Sequence, residues 1–152
     1  MSTNARTTTK PIPDGYHSVT PYLMLKGADK LIDFTKRAFG AREIMRHPTP
    51  EGRVMHAEVQ IGDSRIMLAE VCGEWSPMPA MLHVYVNDAD ATYRTAIEAG
   101  ATSLQEPTDQ FYGDRSGGVK DAFGNHWWIA THKEDISPEE MQRRSAAAAR
   151  GK

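Results

Sequence analysis

An internal repeat constrains this chain more than any other feature. Ala28-Asp29 returns as Ala89-Asp90, Gly40-Ala41 as Gly100-Ala101, and Ile61-Gly62-Asp63 as Phe123-Gly124-Asn125, at offsets of 61, 60 and 62 residues. The same order of strand and helix patterns accompanies these matches in both halves. A duplication inside 152 residues predicts two supersecondary units that share one core, since each is too small to bury its apolar face alone.

In the first unit, Ser18 to Leu25 is extended-compatible, with Val19, Leu23 and Leu25 on one face and Thr20, Tyr22 and Met24 on the other. Ala28 to Phe39 has helical apolar spacing and is followed by Gly40 where a helix should end. Ala41 to Arg46, Val54 to Ile61 and Ile66 to Ala69 read as three strands. The turn signals between them are Pro48-Thr49-Pro50-Glu51-Gly52 and Gly62-Asp63.

The second unit follows a linker with Gly73, Pro77 and Pro79. Its strands are Met81 to Val86, Thr102 to Gln105, Gly113 to Lys120 and His126 to Thr131, and its helix is Ala89 to Ala99. Ser137-Pro138-Glu139-Glu140 then opens a C-terminal helix reaching about Ala149, with a cap residue, proline at the first helical position and glutamate three beyond the cap. The expected fold is α+β: two βαβββ modules, 16–72 and 80–132, in one domain over 16–135. Their strands form a curved eight-stranded mixed sheet, a cup. A tail (1–15) precedes it, and a helix with its own tail (136–152) follows.

Charge narrows the partners. Lys plus Arg is 18 against 20 for Asp plus Glu, with no single-sign block, so neither nucleic acid nor a membrane surface is expected as partner. No apolar run approaches the ~20 residues of a span. The polar first fifteen residues lack the apolar core of a secretory signal. With one cysteine, Cys72, a cytoplasmic location is expected. No P-loop, dinucleotide fingerprint, nucleophile elbow or CxxC pair is present.

Specific motifs now point to a family. Thr20-Pro21-Tyr22-Leu23, then Asp33-Phe34 and Ala38-Phe39-Gly40, resemble the opening of glyoxalase and bleomycin-resistance proteins of the vicinal oxygen chelate superfamily. Asp121-Ala122-Phe123-Gly124-Asn125-His126-Trp127-Trp128 resembles their closing turn and strand, with alanine at the usual proline. The resemblance covers about residues 16 to 135 and implies a small-molecule ligand and a homodimer, in some members with exchanged elements. Catalytic members hold a divalent metal with His or Gln on the first strand and Glu on the fourth strand of each module. Here those positions fall at Thr20, near Met67 or Leu68, at Met81 and at Trp128, which are not metal donors of that kind. No metal and no cofactor are therefore expected. A register slip of two residues would leave His56, Glu70 and His83 as a reduced ligand set.

The candidate ligand-binding residues are Tyr22, His56, Glu58, His83, Tyr85, Tyr112, Arg115 and Trp128. Tyr22, His83, Tyr85 and Trp128 fall on strand faces that look into the cup in the resembling family, although such aromatics also serve as plain core. His56 and Glu58 share one strand face, which is the solvated side of a sheet and, in a cup, the ligand side. Arg115 offers a fork of donors for an anionic or carbonyl ligand or a structural ion pair with Asp114 or Asp121. His126 and His132 are expected at the exposed rim. The leading expectation is a metal-free binding protein that sequesters a hydrophobic or aromatic molecule. The alternatives are an enzyme, a lyase, isomerase or dioxygenase with an unconventional metal or acid–base chemistry by His56, Glu58 or His83, and a scaffold with a filled cup.

Overall fold

A computed structural model describes residues 9–151. The first eight residues of the expected tail lie outside them; residues 9–14 are exposed. The element order is β1 (Tyr22–Leu25), α1 (Ala28–Phe39), β2 (Arg42–Pro48), β3 (Val54–Ile61), β4 (Ser64–Glu70), β5 (Met81–Tyr85), α2 (Ala89–Glu98), β6 (Thr102–Asp109), β7 (Asp114–Lys120), β8 (His126–His132) and α3 (Pro138–Arg150). Two βαβββ modules and a C-terminal helix are present.

The eight strands form two four-stranded mixed sheets, ordered β1-β4-β3-β2 and β5-β8-β7-β6. In each, the first strand runs parallel to the fourth and the other pairings are antiparallel. One row of the first sheet joins Tyr22, Met67, Glu58 and Met45. The equivalent row of the second joins His83, Trp128, Gly118 and Gln105, so the duplication holds at the level of register.

The two helices pack on each other and on their own sheets. Leu31 and Ile32 of α1 are fully buried, as are Ala57, Val59 and Leu68 beneath them. Burying a side chain of that size stabilises by about 1.5–3 kcal/mol. A single core spans both modules. Trp127 of β8 is its largest fully buried side chain and lies 4.9 Å from Phe39 and 6.3 Å from Phe34 of α1, centroid to centroid.

Helix α1 has Gly27 in the left-handed region at its N-cap, which supplies no side-chain acceptor. The carboxylate of Glu70, at the end of β4, accepts instead from the Gly27 and Ala28 amides at 2.9 Å. A negative charge there also suits the positive end of the helix dipole. Helix α3 is capped as expected, with Ser137 Oγ accepting from the Glu140 amide. None of its residues is buried, and Arg144 ties it to Glu134.

Several strand bounds differ from expectation: β2 runs on to Pro48, β4 begins at Ser64, and β1 and β6 differ most. β1 begins at Tyr22 rather than Ser18, and Val19 is 86% exposed. Pro21 has no amide to donate to a ladder; its carbonyl still accepts from Met67. β6 runs through Pro107 to Asp109 instead of stopping before it. It is an edge strand with two register irregularities, where the ladder tolerates a missing donor.

Candidate functional site

Because the helices cover one face of each sheet, the alternate residues of the strands stand on open faces. On the first sheet these include Tyr22, 44% exposed, with Met67, His56 and Glu58. Leu68 is fully buried on the helix side, so Met67 is the β4 residue of the open face. Tyr22 Oη lies 2.9 Å from His56 Nδ1, and His56 Nε2 lies 2.7 Å from Glu58 Oε2. An ionised carboxylate only accepts, which assigns the Nε2 hydrogen to His56. With a neutral imidazole, Nδ1 then accepts from the Tyr22 hydroxyl. Glu58 is 8% exposed, and His56 is its one ionisable partner among the described residues. Burial pushes the Tyr22 hydroxyl above the usual tyrosine pKa.

On the second sheet, Met81 and Tyr85 are 69% and 62% exposed and share a face with His83 and Trp128. The His83 and Tyr85 rings meet edge to face at 4.9 Å. The Trp128 ring lies over Gly118, where a Cβ would stand 2.7 Å from it. Its indole N–H is buried without a hydrogen-bond partner among the described residues. A wide apolar surface with few polar groups is the usual make-up of an organic-ligand site.

A second polar chain was not foreseen. Buried Asp114 accepts from Tyr85 Oη at 2.8 Å and stands 2.7 Å from His132 Nδ1, while His132 Nε2 stands 2.7 Å from Asp135. Asp114 and His132 are cross-strand partners, a pairing that sequence spacing does not show. The Asp114 carboxylate, and after it Asp135, raises the His132 pKa; Asp114 likewise raises that of Tyr85. A raised histidine value means a stabilising contribution fully present below the unfolded value of about 6.5 and lost as pH rises through the folded value. We expect His132 to titrate above free histidine by NMR, and Asp114→Asn to bring its midpoint down; an unchanged midpoint would contradict the assignment.

The remaining candidates are dispersed. Tyr112 stands on the β6–β7 loop against Phe111, 5.3 Å between centroids. Arg115 is engaged by Asp90 through two contacts at 2.6 and 2.9 Å and by Asp109 at 3.3 Å, not by Asp114 or Asp121. Glu70 caps α1, which removes it from any set with His56 and His83. Among the described residues no three His, Cys, Asp or Glu side chains gather as metal ligands would. A cleft of about 820 Å³ runs along β5 between the modules, lined by His83, Tyr85, Phe39, Trp127 and the 61–66 turn. The structure thus brings Tyr22, His56 and Glu58 together, and His83, Tyr85 and Trp128 together, as two clusters on two sheets.

A duplicated βαβββ protein with open, partly aromatic sheet faces is the class these observations define. The family model described as the Glyoxalase/Bleomycin resistance protein/Dioxygenase superfamily matches residues 17–129. The chain belongs to that family. It is 35% identical over 136 residues to an uncharacterized protein of Mycobacterium bovis, covering 82% of this chain and 90% of that one. An uncharacterized protein of Mycobacterium tuberculosis matches at the same identity, with 80% of its length covered. Among solved structures, TioX from Micromonospora sp. ML1 superposes with a TM-score of 0.65 at 23% identity, over 80% of this chain and all of that one. A family enzyme from Burkholderia phytofirmans gives 0.60 at 20% identity, over 73% and 94%. At these identities the structures share the fold.

The metal implied by catalytic relatives does not fit the residues present. Met67, Met81 and Trp128 stand at three of its positions, two thioethers and an indole donor, and Thr20 precedes β1 at the fourth. Divalent zinc, nickel, iron and manganese favour imidazole and carboxylate ligands.

Proposed function

We propose that the protein is a homodimeric, metal-free binder of a small hydrophobic or aromatic molecule. The observation that carries this reading is the pair of open sheet faces. Tyr22, Met81 and Tyr85 are exposed at the edge strands β1 and β5, and each face supplies half of a cup. A second copy that sets its β5 edge beside β1 closes the cup and covers this apolar surface. Trp128, Tyr85 and Tyr22 offer flat apolar walls, and His83, His56 and Glu58 are the few polar groups that orient a ligand. Arg115 and Tyr112 lie outside this set by their contacts. No helix among the described residues is long and apolar enough to cross a membrane. The near balance of 18 Lys and Arg against 20 Asp and Glu, with one cysteine, supports a cytoplasmic protein without a nucleic-acid partner.

Light scattering coupled to size exclusion should give twice the 16.9 kDa chain mass. Protein purified without chelator should carry no stoichiometric Zn, Ni, Fe or Mn. A panel of apolar aromatic compounds should include saturable ligands whose affinity drops about tenfold or more in Trp128→Ala, a loss of one good packing contact. A monomer, one tightly held transition metal per chain, or a panel without binders would overturn this reading.

A further inference from the structure

We propose that Tyr22, His56 and Glu58 form a proton relay that accepts a proton from a weakly acidic hydroxyl, a phenol or enol, of the molecule held in the cup. The proposal rests on the ligand-binding reading above and gives that ligand a chemical class.

Three observations lead to it. The hydrogen bonds are continuous, 2.9 Å from Tyr22 Oη to His56 Nδ1 and 2.7 Å from His56 Nε2 to Glu58 Oε2. Their direction is set from the inner end: Glu58 accepts, so His56 donates through Nε2 and receives the Tyr22 proton at Nδ1. The oxygen of the exposed tyrosine is therefore left with lone pairs toward the open face, an acceptor for a ligand hydroxyl.

The surroundings pair the Glu58 carboxylate with His56. Glu58 is buried with no Lys or Arg ion pair among the described residues; its one such contact is His56. A buried carboxylate is most stable beside a positive charge, and the imidazolium supplies one. The adjoining strands add Met67 and Met45 beside Glu58, and His47 opposite His56. Arg46, which follows Met45 on β2, is held by Glu43 at 2.7 Å.

In the step, the ligand O–H bond breaks as a new O–H bond forms at Tyr22. The original Tyr22 proton passes to His56 Nδ1, and Glu58 holds the resulting imidazolium. The ligand is left as its oxyanion, and no oxidant or further reactant takes part. A buried carboxylate orienting an imidazole that receives a hydroxyl proton is a general-base arrangement. The two methionines that flank Glu58 in its row suit a flat, apolar ring carrying that hydroxyl.

The test uses 4-nitrophenol, whose neutral and ionised forms absorb at different wavelengths, with nitrobenzene as its hydroxyl-free counterpart. A unit below its solution midpoint, the probe bound to the full-length protein should show the ionised spectrum. It should also bind about tenfold more tightly than nitrobenzene, the equivalent of one well-made hydrogen bond. Tyr22→Phe, at an exposed position that leaves the core untouched, should abolish that preference and return the bound probe to its neutral spectrum. Glu58→Gln should keep the shape and lose the ionisation, with melting curves reporting its folding. A neutral spectrum in the unmodified protein, or an ionised one that survives Tyr22→Phe, overturns the relay. If nitrobenzene binds as well as 4-nitrophenol, the relay falls and the apolar cup stands; if neither binds, both fall.

Discussion

Replacing Asp121 with alanine is expected to lower the unfolding free energy by about 3–4 kcal/mol, the cost of leaving several buried donors unpaired at once. Asp121 is 5% exposed. One carboxylate oxygen accepts from the amides of Phe123 and Asn125 at 2.8 and 3.0 Å. The other accepts from Asn125 Nδ2 at 2.9 Å and Trp127 Nε1 at 2.8 Å. Asn125, 2% exposed, in turn accepts from the Ala80 amide and so ties the turn to the start of β5. Alanine would strand the indole of the largest buried side chain and loosen the contact of both modules. Asp121→Asn keeps the shape but substitutes a donor for an acceptor and should cost about half as much. Urea unfolding followed by circular dichroism measures both, and a cost below about 1 kcal/mol for alanine would contradict the hub.

The second large effect is expected at Gly118. A Cβ there would lie 2.7 and 2.8 Å from carbons of the Trp128 ring, well inside the usual carbon–carbon contact of about 3.5–4.0 Å. Gly118→Val should force the indole off the sheet, destabilise by about 1–3 kcal/mol as overpacking does, and lower aromatic-ligand affinity about tenfold or more. The stability loss should shrink when Trp128 is also truncated, because the two residues contest one space. A double-mutant cycle gives that coupling directly. Additive losses would mean that Gly118 is needed for the backbone of β7 and not for the ring above it. Module one, by contrast, has Glu58 at the equivalent register position, so the two modules place a carboxylate and a ring bed at matching points of their sheets.

Much of the fold was legible because its signals are local. Period-2 alternation placed β3 at Val54–Ile61, and periodic apolar residues with Gly40 placed α1 at Ala28–Phe39. The Ser-Pro-Glu-Glu cap marked the start of α3. Of the site, His56 and Glu58 were visible as neighbours on one strand face. Their completion by Tyr22, 34 residues earlier, depends on the order β1-β4-β3 and on the register that slides Tyr22 level with Glu58. The ion-pair partner of Arg115 is Asp90, 25 residues away, and the hydrogen-bond partner of the Glu70 carboxylate is the Gly27 amide, 43 residues away. No spacing rule encodes either.

Taken alone, the sequence determined the duplicated βαβββ order, the span of α1 and the capped start of α3. Each is a property of a residue with its chain neighbours. Tertiary structure decided which polar groups meet: the Tyr22–His56–Glu58 chain, the Tyr85–Asp114–His132 chain and the Asp121 hub. It also divided the eight strands into two sheets with β1 and β5 at their edges, where Met24 of β1 is bridged to Met78. Those outcomes follow from strand order, register and helix packing, where one residue of slip turns every side chain to the other face.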